Sequence, residues 1–194
     1  MGRRAILSVF AMVAMLVLAG CGAGGPVVAS KSDVASLAQT IEALGPDVDP
    51  AEAARAAEIA YAHTRELAIL YEIEDPPLVH NSKVNMGVKP RGLCWHWAED
   101  MERRLDAENF QTLELHRAIA NSESAILIDH STAIVSAKGD SFRDGVVVDP
   151  WRYGGRLFWS PLLEDTRYEW RSREVVLAEK RADLIARGMP PGSY

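Results

Sequence analysis

Cysteine is nearly absent from this chain of 194 residues, which has only Cys21 and Cys94. That excludes a disulfide-stapled scaffold and any multi-cysteine zinc site. A basic excess is missing too: 21 Lys and Arg against 27 Asp and Glu leave a formal net charge of -6 at pH 7. Without surplus cations to neutralise phosphates, nucleic acid is not an expected partner. The longest apolar run, residues 5–18, falls short of the roughly 18 to 20 residues that a spanning helix needs. What is present is ordinary, 48% hydrophobic and 25% charged residues at a length that suits one domain, with no internal repeat.

The start of the chain reads as a targeting segment, because Arg3 and Arg4 precede the apolar run and small residues follow it. The run ends in Leu18-Ala19-Gly20-Cys21, which resembles the lipobox of bacterial lipoproteins. The resemblance implies a signal peptide over residues 1–20 and a lipidated Cys21 as the new N-terminus. Several acyl chains, each methylene contributing about 0.8 kcal/mol on burial, would hold the body on a membrane through its N-terminal lipid. Gly22 after Cys21 implies, on the same resemblance, the periplasmic face of the outer membrane in the cell envelope. Residues 21–31, rich in glycine and small side chains, are expected to form a flexible tether, with the folded domain over 32–194.

Within that domain helices come first and strands second. Ser32 is expected to cap a helix carrying Val34, Leu37, Ile41 and Leu44, stopped by Gly45-Pro46. Asp49-Pro50 opens an alanine-rich helix to about Ile73, with Ala56, Ala60, His63, Leu67 and Leu70 on one stripe, so His63 reads as a packing residue. Residues 75–91, with Pro76, Pro77, Gly87 and Pro90, read as a long loop. From about Leu93 the pattern is helical again, and Cys94, Trp97, Ala98, Met101 and Leu105 form its inward face. Residues 112–119, 125–137 and 146–149 are β-branched and strand-like, residues 150–170 are irregular, and 174–187 form a last helix. The class is α+β, with helices packed on a small antiparallel sheet.

With Cys21 lipidated, Cys94 has no intramolecular disulfide partner. At the first turn of a helix, free N–H groups and the positive dipole end favour the thiolate, the nucleophilic form. A thiolate working on acyl groups wants an imidazole to share its proton and an acceptor to orient that imidazole. His130 shares a strand face with Ile128, Thr132 and Ile134. A return through a turn at Gly139-Asp140 sets it opposite Asp149, whereas Arg143-Asp144-Gly145 offers a second turn that would displace the pairing.

Gly92-Leu93-Cys94-Trp95, then His130 on a strand, then Val147-Val148-Asp149-Pro150, resembles the Cys, His, Asp order of the transglutaminase-like, papain-like superfamily. The resemblance covers roughly residues 90–160. It implies a papain-like fold in which Cys94 is the nucleophile, His130 the general base and acid, and Asp149 the group that orients the imidazole. It implies a peptide or protein amide as substrate, cleaved or transferred through a thioester, with no cofactor. The alternative is a catalytically silent lipoprotein that uses the same scaffold as a binding or assembly module.

Trp95 and Trp151 adjoin the Cys94 and Asp149 motifs and are the expected substrate-binding residues, whereas Trp97 and Trp159 read as core. Asn81 and Asn85 are candidates for a side-chain oxyanion donor, although loop asparagines are commonly turn formers. His96 lies about 200° around the helix from Cys94, so the two make no metal pair, and neither His80 nor His116 has a second ligand at a metal spacing. No metal is expected.

Overall fold

The computed structural model describes residues 25–190, so residues 1–20, expected to be a signal segment, and Cys21 lie outside the described residues. Among the described residues, five helices precede and follow a five-stranded sheet. They are α1 (Lys31–Glu42), α2 (Pro50–Leu70), α3 (Pro77–Asn85), α4 (Cys94–Asp106) and, after the strands, α5 (Arg173–Ala186). The strands β1 (Leu113–Ala120), β2 (His130–Ala137), β3 (Val146–Asp149), β4 (Phe158–Pro161) and β5 (Arg171–Ser172) are ordered β4-β3-β2-β1-β5, and every neighbouring pair is antiparallel. Among the described residues no helix is long and apolar enough to cross a membrane.

Local chemistry sets the helix ends. The cap of α1 is Ser30, not the expected Ser32: its hydroxyl accepts from the Asp33 N–H at 3.1 Å while the Asp33 carboxylate accepts from the Ser30 N–H at 3.0 Å. Helix order thus reaches back into the stretch read as tether, and the Gly25 N–H already donates to the Gly154 carbonyl at 2.8 Å. Asp49 caps α2 as expected, accepting from the Ala51 N–H at 2.7 Å. That helix ends at Leu70, before Ile73, because Glu72 takes a φ of 54° and the Ile73 N–H turns back to the Ala68 carbonyl at 2.9 Å. This reversal satisfies the last carbonyls and buries Ile73 without a glycine.

One core layer fills the space between α1, α2, α4 and one sheet face, where Leu37, Ile41, Ala53, Ala57, Met101 and Leu105 meet Ala133, Val135, Val146 and Val148. Ile134 and Val147 face the other way, toward Trp170 and Leu162. All five apolar residues assigned to the inner face of α4 are buried. On α2 the assigned stripe is buried at Ala56, Ala60 and Leu67 and part-buried at His63, whose Nδ1 lies 2.9 Å from Glu66, whereas Leu70 is exposed.

Two expected elements differ. Residues 77–85 form α3 instead of a loop, because Pro77 occupies the first helical turn, where a missing N–H costs nothing. Strand β2 starts at His130 and not near residue 125, since β1 ends at Ala120, opposite His130, and leaves 125–129 no partner. Asn121, at φ 63°, turns the chain there. β propensity in Ile126, Leu127 and Ile128 does not make a strand without a ladder to join.

Candidate active site

Three segments converge where α4 begins and β2 and β3 meet. Cys94 is the first residue of α4, so its N–H and that of Trp95 have no acceptor in the preceding turn. The approach to that turn is tightly built. The His96 Nδ1 accepts from the Gly92 and Leu93 N–H groups at 3.1 and 3.2 Å, and the Trp97 indole donates to the Gly92 carbonyl at 3.0 Å. Buried His80, from α3, sits 2.8 Å from the Arg91 carbonyl through Nε2. Gly92 has a φ of 124°, and a Cβ there would lie 2.4 Å from the His80 ring, so both conformation and space demand glycine. Burial pushes the His96 pKa down, as does the nearby Arg91, which keeps the ring in the neutral form that can accept.

His130 and Asp149 meet, although not by the expected register. Ala133 faces Val148 and Val135 faces Val146, a displacement of two residues from the pairing that would set His130 squarely across from Asp149. The second turn causes it. Phe142–Asp144 is a short 3-10 helix, and Gly145 packs so closely on β2 that a Cβ would come within 2.6 Å of the Ile134 side chain. A shift of two keeps every side chain on its face, so His130 and Asp149 still share a side and approach diagonally. The His130 Nε2–H donates to the Asp149 Oδ2 at 2.7 Å, with both residues essentially inaccessible to solvent.

The carboxylate is held from behind. Asp149 also accepts from the Arg152 backbone N–H at 3.1 Å and from Arg152 Nε at 2.9 Å. The rest of that guanidinium donates to both oxygens of Asp165, at 3.0 and 2.6 Å, and the Trp170 indole donates to Asp165 at 2.9 Å. The result is a buried line of alternating charge: His130, Asp149, Arg152, Asp165. The Arg152 guanidinium lies 3.6 Å from the Phe158 ring centre and 4.7 Å from that of Tyr168. Trp151 and Tyr168 in turn pack on the His130 ring, at 4.6 and 4.7 Å between centres.

Burial pushes the His130 pKa down and, acting alone, would leave the ring neutral. The charge and hydrogen bond of Asp149, with a further contribution from Cys94, outweigh it and raise the value to about 9. For Asp149, burial pushes upward but is overcome by His130 and Arg152, so the carboxylate stays ionised. The other ring nitrogen, His130 Nδ1, is buried and has no hydrogen-bond partner, while the Cys94 thiol donates to the Asp129 carbonyl at 3.4 Å. Cys94 thus neighbours the imidazole but is turned to the backbone beside it.

A cleft of about 490 Å³ opens onto this cluster. His130 and Trp151 line it; Cys94, which is 7% exposed, lies just behind. Trp95 is half-exposed on the outer side of α4, beside His96, and is not part of the cleft lining. Asn81 reaches the rim, its Oδ1 accepting from the Trp151 indole at 3.0 Å, whereas Asn85 is exposed on α3. His116 lies 2.8 Å from the Ser136 hydroxyl, away from the cluster. Among the described residues, no group of three or more His, Cys, Asp and Glu is placed to hold a metal ion.

Sequence reasoning missed Arg152, Asp165 and Tyr168. Arg152 follows Asp149 by three residues across Pro150, a spacing that lets a turn bring guanidinium to carboxylate. Asp165 and Tyr168 lie in a stretch without period, where nothing local marks them. No family model, no curated protein and no solved structure matches this chain.

Proposed function

We propose that this protein is a cysteine-dependent acyl-transfer enzyme of transglutaminase-like, papain-like architecture that cleaves or transfers an amide. The observation that carries the proposal is the His130 ring. Its Nε2 is fixed on ionised Asp149 at 2.7 Å, its Nδ1 is buried without a partner, and Cys94 is beside it at a helix N-terminus. A nucleophile at the start of a helix packed on an antiparallel sheet that carries the imidazole and the acid also supports the papain-like reading.

The ring is already an imidazolium at neutral pH, so the Cys94 thiol loses its proton to solvent as it turns from the Asp129 carbonyl toward the His130 Nδ1–H, giving a thiolate–imidazolium pair. The sulfur then attacks the substrate carbonyl carbon. An S–C bond forms, and the C=O pair moves onto oxygen beside the Cys94 N–H at the helix start. Collapse breaks the C–N bond, the imidazolium protonates the departing nitrogen, and a thioester remains. Water, or an acceptor amine, gives a proton to the imidazole as it attacks the thioester carbon, the C–S bond breaks to release the acid or the new amide, and the thiolate–imidazolium pair is restored. Asp149 holds the ring in place and stabilises its charge throughout. The lipobox resemblance at residues 18–21 supports a lipid-anchored envelope location for this activity.

Alkylation tests the reading. Cys94 should react with iodoacetamide at pH 7 at least tenfold faster than a free thiol of pKa about 8.5, and His130→Ala should abolish the excess. The depth of the sulfur, 7% exposed and outside the cleft lining, favours the silent binding module instead. A Cys94 no faster than the free thiol, with or without His130, would establish that module.

A further inference from the structure

The cleft has a charge pattern at odds with the rest of the chain. The protein is acidic, at -6 overall, yet no Asp or Glu lines the cleft. Its ionisable lining residues are His130, Arg152, Arg167 and Tyr168. The Arg152 charge is already spent on Asp149 and Asp165. Arg167 is different: its backbone N–H donates to Asp165 at 3.3 Å, but its guanidinium has no carboxylate partner among the described residues and lies over the Tyr168 ring at 5.6 Å. The guanidinium also reaches the Tyr168 hydroxyl, but with five N–H donors it keeps others for an incoming anion.

Apart from Asn121, whose amide donates to the Ile128 carbonyl at 3.1 Å, the remaining lining is apolar. Pro76, Pro77 and Leu78 contribute from the start of α3, and Leu127 and Ile128 from the loop before β2, with Trp151 beside His130. Leu78 is 61% exposed and Leu127 59%, an arrangement that costs the free protein solvation and is relieved by an apolar ligand. The two lining segments flank an imidazole that is wrapped by aromatic rings on its other sides.

We infer that the cleft is a substrate subsite for an apolar side chain accompanied by a carboxylate, the carboxylate pairing with Arg167 and the apolar group lying against Leu78, Leu127 and Trp151. The inference rests on the acyl-transfer reading for its purpose, because it names the class of substrate that this site would take. It rests on the cleft alone for its binding. An acidic residue or a free C-terminus beside a bulky apolar residue supplies the same chemistry, and binding measurements separate the two sources.

The experiment compares two acid and neutral pairs on the full chain: acetyl-leucine against acetyl-leucinamide, and acetyl-glutamyl-leucinamide against acetyl-glutaminyl-leucinamide. Binding is followed by NMR on the Trp151 indole N–H. At least one acid is expected to bind about tenfold or more tighter than its neutral partner, the size of one charge-assisted contact. Arg167→Gln should bring that ratio close to one, and Leu127→Asn should weaken acid and amide together. The faster-saturating acid identifies whether the carboxylate is terminal or on a side chain. Equal binding within both pairs, no saturable binding, or a preference that survives in Arg167→Gln overturns the subsite. The same titration on Cys94→Ala is expected to give the same ratios, so a failure of the thiol chemistry does not register as a failure of the cleft.

Discussion

The two halves of the site are held by opposite means. On the Cys94 side, the turn before α4 is held by dipolar contacts, with a glycine at φ 124°, a His96 nitrogen that accepts two backbone N–H groups and buried His80 against the Arg91 carbonyl, while the Arg91–Asp100 ion pair at 3.1 Å lies at its edge. On the His130 side, the imidazole is fixed by a buried line of full charges through Asp149 and Arg152 to Asp165. Neutral contacts fix geometry and leave the sulfur's proton free to move. Charges fix geometry and also set the ring's protonation, which is what a proton carrier needs. Each histidine's state follows from its surroundings: His96 stays neutral and accepts, and His130 is held charged, as the proposed chemistry requires.

The largest break in this contrast comes from the charged side. Arg152→Met should leave Asp149 and Asp165 buried without a cation and cost on the order of 3–5 kcal/mol of folding stability, measured by urea unfolding. A cost under 1 kcal/mol would mean that the charge line is not a structural element. Asp149→Asn is milder for the fold and severe for the chemistry. It should lower any acyl transfer by on the order of 10³-fold and remove most of the Cys94 alkylation excess while the protein remains folded, because the ring loses its anionic acceptor.

The neutral side should yield smaller effects. Gly92→Ala combines a disfavoured φ with a Cβ 2.4 Å from the His80 ring, and is expected to cost about 1–3 kcal/mol and to slow Cys94 alkylation. His96→Asn, which keeps an acceptor near the Nδ1 position, should cost less than His96→Leu, which orphans two N–H groups. Equal losses in the two variants would remove the capping role from His96.

The sides also differ with pH. The folded His130 pKa, raised to about 9, gives a stability contribution fully present below the unfolded value near 6.5 and lost as pH rises through 9. Asp149 and Asp165, both lowered, contribute stability present above the unfolded value near 3.9 and lost as pH falls through their folded values. Melting temperature should therefore fall on both the acid and alkaline sides, and Asp149→Asn should shift the alkaline fall toward neutral pH. An alkaline limb unmoved by Asp149→Asn would contradict the pairing.

Much of the nucleophile half was legible because helix periodicity is local. Cys94, Trp97, Ala98, Met101 and Leu105 need only their own spacing to declare a buried face. The face shared by His130 and Asp149 was also legible, since strand alternation survives a shift of two residues, but the register was not. That depends on how closely Gly145 approaches Ile134, a contact made in three dimensions. Arg152, Asp165 and Tyr168 were hidden for the same reason: their partners lie across turns with no period, so only the fold brings them together. The helix at 77–85 was masked by Pro76 and Pro77, which read as loop formers but stand at the N-cap and first turn of α3.

The proton shared between sulfur and imidazole is tested most directly by NMR titration of the His130 ring. The expected result is an imidazolium at pH 7 that titrates at about 9, with a lower value in Cys94→Ala and a much lower one in Asp149→Asn. A ring that is neutral at pH 7, titrates near 6.5 and ignores both substitutions would contradict it.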